Sequence, residues 1–158
     1  MKFWYTPVVI RSADTGEPAT QLRPMVPLVV LGEVDAVLCS ALVDTGADNS
    51  FLPRSIAETL GVLLTPCSGP APVAFGGGIV ESYYTDLDLQ LGDETDDVAW
   101  PARMLVFDVD SPGDEIIILG HTGFLEHFRA TFDGQAGTLD LEPLPSMPAV
   151  DVESRDLF

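Results

Sequence analysis

The tripeptide Asp-Thr-Gly occurs twice in this sequence, as Asp14-Thr15-Gly16 and as Asp44-Thr45-Gly46. A carboxylate can take up and release a proton, and two carboxylates at close range share one proton because both cannot easily ionise. Such a pair can activate water against a carbonyl carbon. Context decides which copy is placed for that work. The first copy follows Arg11-Ser12-Ala13 and precedes Glu17-Pro18, a polar stretch between apolar runs, and reads as a hairpin loop. The second ends the apolar run Ala41-Leu42-Val43 and is followed by Ala47-Asp48. Asp44 is therefore expected at the end of a buried strand. Its glycine lets the backbone fold back so that turn N–H groups point at the carboxylate. Asp44 is the candidate catalytic residue.

The elements around it follow from short apolar runs bounded by Gly, Pro and Asp, the pattern of a β-barrel or sandwich. Strands are predicted over 3–10, 26–31, 37–43, 73–75, 79–91, 102–109, 116–119, 129–132 and 138–141. Phe51-Leu52-Pro53 reads as one short strand leading into a helix over 53–60, which starts at proline and stops at Gly61. A weaker helix over 121–127 has Gly123 inside it. The class is mostly β with one or two short helices. Residues 1–142 read as one domain with its core at about 24–142, and 143–158 as a loosely attached acidic tail with prolines. The fold must also place Phe75-Gly76-Gly77-Gly78-Ile79, a glycine tip between strand-like flanks, and Ile116-Ile117-Ile118-Leu119-Gly120, an apolar strand ending in glycine.

In this order and spacing, these segments resemble the retropepsin-like aspartic proteases, the retroviral-type branch and its bacterial relatives. The resemblance spans 24–143 and implies a small closed acid-protease β-barrel. It implies that Asp44 is catalytic, that Thr45 locks two active-site turns together, and that Gly46 shapes the turn near substrate. Ala47 and Asp48 would then adjoin substrate. Phe75, Gly76, Gly77, Gly78 and Ile79 would form the flap that closes over it. Leu119 and Gly120 would lie beneath the catalytic turn. The sequence departs from the pattern at His121, where the retroviral enzymes carry an arginine paired with an aspartate matched here by Asp48. A His121–Asp48 pair would hold only while the imidazole is protonated; the alternative is that His121 caps or packs at the helix start.

One aspartate is not enough for the chemistry, and Asp14 lies too close in sequence to Asp44 for each to own a lobe. The expected assembly is a homodimer in which a second Asp44 faces the first across a two-fold axis. The expected substrate is a polypeptide held extended between flap and cleft by backbone hydrogen bonds. Its pocket walls would come from Phe75, Ile79 and the strand near Val106. The alternative is a retropepsin-fold module that binds peptides or dimerises without cleaving.

Charge narrows the partners. Twenty-five acids against seven Lys and Arg give a net charge of −18 over 158 residues. Such a surface repels phosphate backbones and anionic lipid, so neither nucleic acid nor a membrane is an expected partner. No secretory signal or transmembrane helix is expected, and the default compartment is the cytoplasm. Cys39 reads as a small core residue and Cys67 as a loop residue, and neither suggests a disulfide framework. No cofactor or metal is expected: His121 and His127 lack a third ligand. Asp108 to Glu115 begins like a calcium loop but has Leu119 where a glutamate is needed. Asp93-Glu94-Thr95-Asp96-Asp97 reads as a solvated loop between strands. Trp4 and Trp100 read as core or interface packing.

Overall fold

A computed structural model describes residues 1–33, 35–68, 82–107 and 116–150. Strand β1 (Lys2–Trp4) leads into a hairpin of β2 (Thr6–Arg11) and β3 (Pro18–Arg23). Then come β4 (Met25–Leu31), β5 (Ala36–Val43) and the three-residue β6 (Phe51–Pro53), which runs into helix α1 (Arg54–Leu60). A short β7 (Thr65–Pro66) precedes the long hairpin of β8 (Ser82–Gly92) and β9 (Asp97–Phe107). The chain ends with β10 (Ile117–Leu119), a 3₁₀ turn (Leu125–His127), β11 (Phe128–Asp133) and β12 (Thr138–Pro143).

Six strands close into a barrel in the order β4-β5-β10-β6-β9-β8. The seam is the antiparallel pairing of Val29, Val30 and Leu31 with Gln90, Leu89 and Asp88. Two pairings are parallel, β10 with β5 and β6 with β9. Inside lie Val26, Leu28, Val30, Ala41, Leu52, Leu89, Leu91, Met104 and Val106. Their period-two spacing within each strand is what sends them to one face. Trp100, Phe124 and Phe128 fill one end, with Trp100 edge-on to Phe128 at 5.3 Å. The buried indole N–H donates to the Gly123 carbonyl at 2.9 Å, so no polar atom of the ring is stranded. Helix α1 starts directly after Pro53, which makes no side-chain cap bond, and ends at Gly61, whose φ of 63° is left-handed. It buries Ala57 and Leu60.

The expected mostly-β barrel is what forms, with differences of detail. The strand predicted over 3–10 is broken at Tyr5, whose N–H donates to Gly137 O at 2.8 Å and turns the chain from one sheet into another. Strand β3 was not predicted, because Pro18-Ala19-Thr20-Gln21-Leu22-Arg23 shows no apolar alternation. Strand β9 begins at Asp97 rather than 102, with Pro101 inside it. Proline is tolerated there because β6 reaches only Leu105–Phe107, leaving Pro101 on a free edge. The helix predicted over 121–127 shrinks to one 3₁₀ turn, with Gly123 at φ 86° breaking it. Residues just past β12 are tied down: Leu144 N–H donates to His127 O and Val150 N–H to Ala99 O. Trp4 is 71% exposed, not in the core. No helix among the described residues is long and apolar enough to cross a membrane.

Candidate active site

Asp44 follows directly on β5, whose last residues Ala41, Leu42 and Val43 pair in parallel with Ile117, Ile118 and Leu119 of β10. Backbone bonds fix the strand exit on both sides. Val43 N–H donates to Pro24 O at 3.0 Å, and Asp44 N–H donates to Leu119 O at 3.0 Å. The turn closes with Ala47 N–H donating to Asp44 O at 3.2 Å. Gly46 N–H donates to one carboxylate oxygen of Asp44 at 2.9 Å. The other oxygen accepts no hydrogen bond among the described residues. Asp44 is half-buried, while Thr45 and Gly46 are exposed. A carboxylate is thus oriented through one oxygen and left open at the other, which suits it to hold water or exchange a proton.

Beneath the turn, residues 47–49 cross the end of β10. His121 N–H donates to Ala47 O at 2.8 Å and Thr122 N–H to Asp48 O at 2.9 Å. Asn49 and Thr122 form a parallel bridge. The two segments lie so close that Gly120 has room for no side chain. A Cβ there would sit 2.7 Å from the Ala47 carbonyl oxygen and closer still to that of Asn49. The glycine that ends the apolar strand is therefore dictated by contact with the loop after Asp44.

Ser50 completes this junction, and sequence reasoning missed it. It is fully buried. Its hydroxyl donates to Thr122 O at 2.8 Å and accepts from Gly120 N–H at 3.1 Å. Its backbone N–H donates to Thr122 O and its carbonyl accepts from Leu105 N–H. The Ser50 hydroxyl thus ties the loop after Asp44 to the segment that follows β10, and its backbone carbonyl ties the same loop to β9. A serine between Asn49 and Phe51 looks like ordinary turn chemistry, so the sequence carries no signal for this role.

The structure brings together Asp44, Thr45, Gly46, Ala47, Asp48, Leu119, Gly120 and His121. Among the described residues His121 and Asp48 form no ion pair; both are exposed, and their segments meet through the backbone alone. The His121 backbone N–H holds the chain crossing, and its side chain is exposed. The predicted flap, Phe75, Gly76, Gly77, Gly78 and Ile79, lies outside the described residues, as does the acidic run at 108–115. Val106 itself, on the strand expected to contribute to a pocket wall, is buried in the core. A surface cavity of about 360 Å³ is lined by Leu31, Val62, Leu63, Leu87, Pro101 and Arg103 among others, and includes no residue of the Asp44 turn. Among the described residues no three His, Cys, Asp or Glu side chains cluster as a metal site requires. Cys39, half-buried on β5, has its thiol pushed up to about 11 by burial, which suppresses the reactive thiolate.

The family model described as aspartyl protease matches residues 26–122, more than half of the chain. Among solved structures, EIAV protease bound to an inhibitor is 27% identical, with a TM-score of 0.44 over 63% of this chain and 82% of that one. The retroviral protease-like domain of Ddi1 from Leishmania major is 19% identical, with a TM-score of 0.46 over 84% of this chain and 98% of its own. No curated protein matches in sequence. With its Asp-Thr-Gly turn set on a closed barrel, the chain belongs to the aspartyl protease family and has the retropepsin-like fold.

Proposed function

We propose that the chain is an aspartic endopeptidase that acts as a homodimer on extended polypeptides. The observation that carries this reading is the Asp44 carboxylate, held by the Gly46 N–H at 2.9 Å and open at its other oxygen.

Chemistry follows if a second Asp44 meets the first across a two-fold axis. The two carboxylates then share one proton. The ionised member takes a proton from a water lying between them, and the water oxygen attacks the scissile carbonyl carbon. The protonated member donates a hydrogen bond to the carbonyl oxygen as it gains charge. When the tetrahedral intermediate collapses, the C–N bond breaks and a proton passes to the leaving nitrogen. Exposed Thr45, whose hydroxyl makes no hydrogen bond among the described residues, would lock the two turns together. Ala47 and Asp48 would adjoin the peptide, and the segment 75–79 would close over it as a flap. A dyad that works singly protonated favours acidic pH.

Digestion of a diverse peptide library by wild type and Asp44→Asn, from acidic to neutral pH, tests this. Cuts between apolar residues that vanish in the variant are expected. Cuts that persist in it would come from another enzyme. A wild type that dimerises but never cuts would instead be a non-catalytic peptide-binding module.

A further inference from the structure

The hairpin of β2 and β3 stands apart from the barrel. Among the described residues its strands pair only with each other, Thr6 opposite Arg23 through Arg11 opposite Pro18. That register puts Pro7, Val9, Arg11, Pro18, Thr20 and Leu22 on one face, and all six are exposed. Val9 is 70% and Leu22 59% exposed. A lone two-stranded hairpin is marginal in water, and a bare apolar face makes it more so.

Charge says what covers it. Residues 1–24 hold three of the seven cations and two of the 25 acids, so the remaining residues hold four cations and 23 acids. Among the described residues, Lys2, Arg54, Arg103 and Arg129 each pair with a carboxylate. Arg11 and Arg23 pair with none, although the chain is crowded with acids. Both lie on this hairpin, Arg11 on its apolar face and Arg23 at its base on the opposite face.

We infer that the β2–β3 hairpin is a dimerisation arm, its apolar face and its two arginines engaging the acidic body of a second copy of this chain. The inference rests on the homodimer of the proposed function and says how two bodies of strongly negative charge come together. Each copy offers the other a near-neutral arm carrying unpaired cations, which opposes the repulsion between the bodies. A two-fold arrangement makes the contact reciprocal, so every dimer has two arms.

Hydrogen exchange on the full chain, across concentrations spanning monomer and dimer, tests the arm directly. The amides of 6–23 should gain protection as the dimer forms. Sedimentation should show the Val9→Ser/Leu22→Ser variant dimerising about tenfold or more weakly. For Arg11→Gln/Arg23→Gln the loss should be large at low salt and narrow as salt rises. Thermal unfolding of the monomers should be nearly unchanged, because the barrel makes no strand pairing with the hairpin. Equal exchange in monomer and dimer, variant affinities within about twofold of wild type, or protection appearing only when peptide is added would overturn the arm. A wild type that dimerises and cuts through Asp44 while both arm variants match it sinks the arm and leaves the enzyme standing. A wild type that stays monomeric at every concentration and never cuts sinks the enzyme reading.

Discussion

The two Asp-Thr-Gly copies in this chain have one composition and two structures. In the first, Gly16 takes a φ of 70° and donates its N–H to Ser12 O, while the Thr15 hydroxyl accepts from Glu17 N–H. Threonine and glycine make that turn; the Asp14 carboxylate is exposed and accepts no hydrogen bond among the described residues. In the second, Gly46 stays out of the left-handed region and its N–H orients the carboxylate itself. The tripeptide does not decide between them. The first copy joins two strands that, among the described residues, pair only with each other, whereas the second leaves a strand paired on both sides and sits over a crossing loop. What holds the ends of each turn sets the two apart.

The sharpest break of this comparison is to neutralise each aspartate. Asp44→Asn should lower peptide cleavage about 10²–10⁴-fold with the barrel still folded. Asp14→Asn should leave turnover within about twofold of wild type. Equal losses in a steady-state assay would show that the first copy belongs to the site.

Next come the glycines that each turn relies on. Gly120→Ala places a methyl group against the Ala47 and Asn49 carbonyls, so it should destabilise by about 1–3 kcal/mol or more and cut activity as the crossing loop shifts. Gly16→Ala meets nothing within 4 Å and pays only for a left-handed backbone, about 1–2 kcal/mol. Denaturant unfolding read beside turnover separates the two, since Gly16→Ala should leave activity per folded molecule intact. A fully active Gly120→Ala would mean that the close approach does not position Asp44.

Much of this architecture was legible in the sequence. The runs ending at Val43 and Leu119, the helix stop at Gly61 and the turn role of Asp14 could be read because each rests on local chemistry: apolar period, left-handed glycine, polar flanks. What could not be read depends on distant partners. Strand β3 owes its existence to β2 and not to its own pattern, and Pro101 sits in a strand because β6 is too short to need its N–H. Ser50 is the clearest case at the site. Its hydroxyl bonds Gly120 and Thr122, some 70 residues further along the chain, and its carbonyl bonds Leu105 of β9; no local spacing announces that.

Ser50→Ala sharpens the contrast further. It strands the buried Gly120 N–H, and the Thr122 carbonyl loses its side-chain donor. The expected cost is about 1–3 kcal/mol of stability, by denaturant titration, together with reduced turnover. No serine serves the Asp14 turn in this way: Ser12 contributes its backbone there. A variant as stable as wild type would mean that water replaces the hydroxyl at the crossing.

A third turn gives the smallest effect and the cleanest control, because its carboxylate is wholly committed to structure. In the β8–β9 turn, one oxygen of Asp93 accepts from Thr95 N–H, Thr95 hydroxyl and Asp96 N–H, and the other accepts from Lys2 N–H. Those donors, Thr95 first, hold its pKa well below the ordinary carboxylate range. A depressed folded-state pKa contributes stability that is complete above the unfolded value, about 3.9, and is lost as pH falls below it. Asp93→Asn should therefore lower the unfolding midpoint modestly at pH 7, and its gap from wild type should narrow at pH 3. Turnover per folded molecule should not change. A gap of the same size at both pH values would show that the turn is held by shape rather than charge. An activity loss would show that a carboxylate with both oxygens occupied can still matter to catalysis, against the distinction that sets Asp44 apart: one oxygen held and one left open.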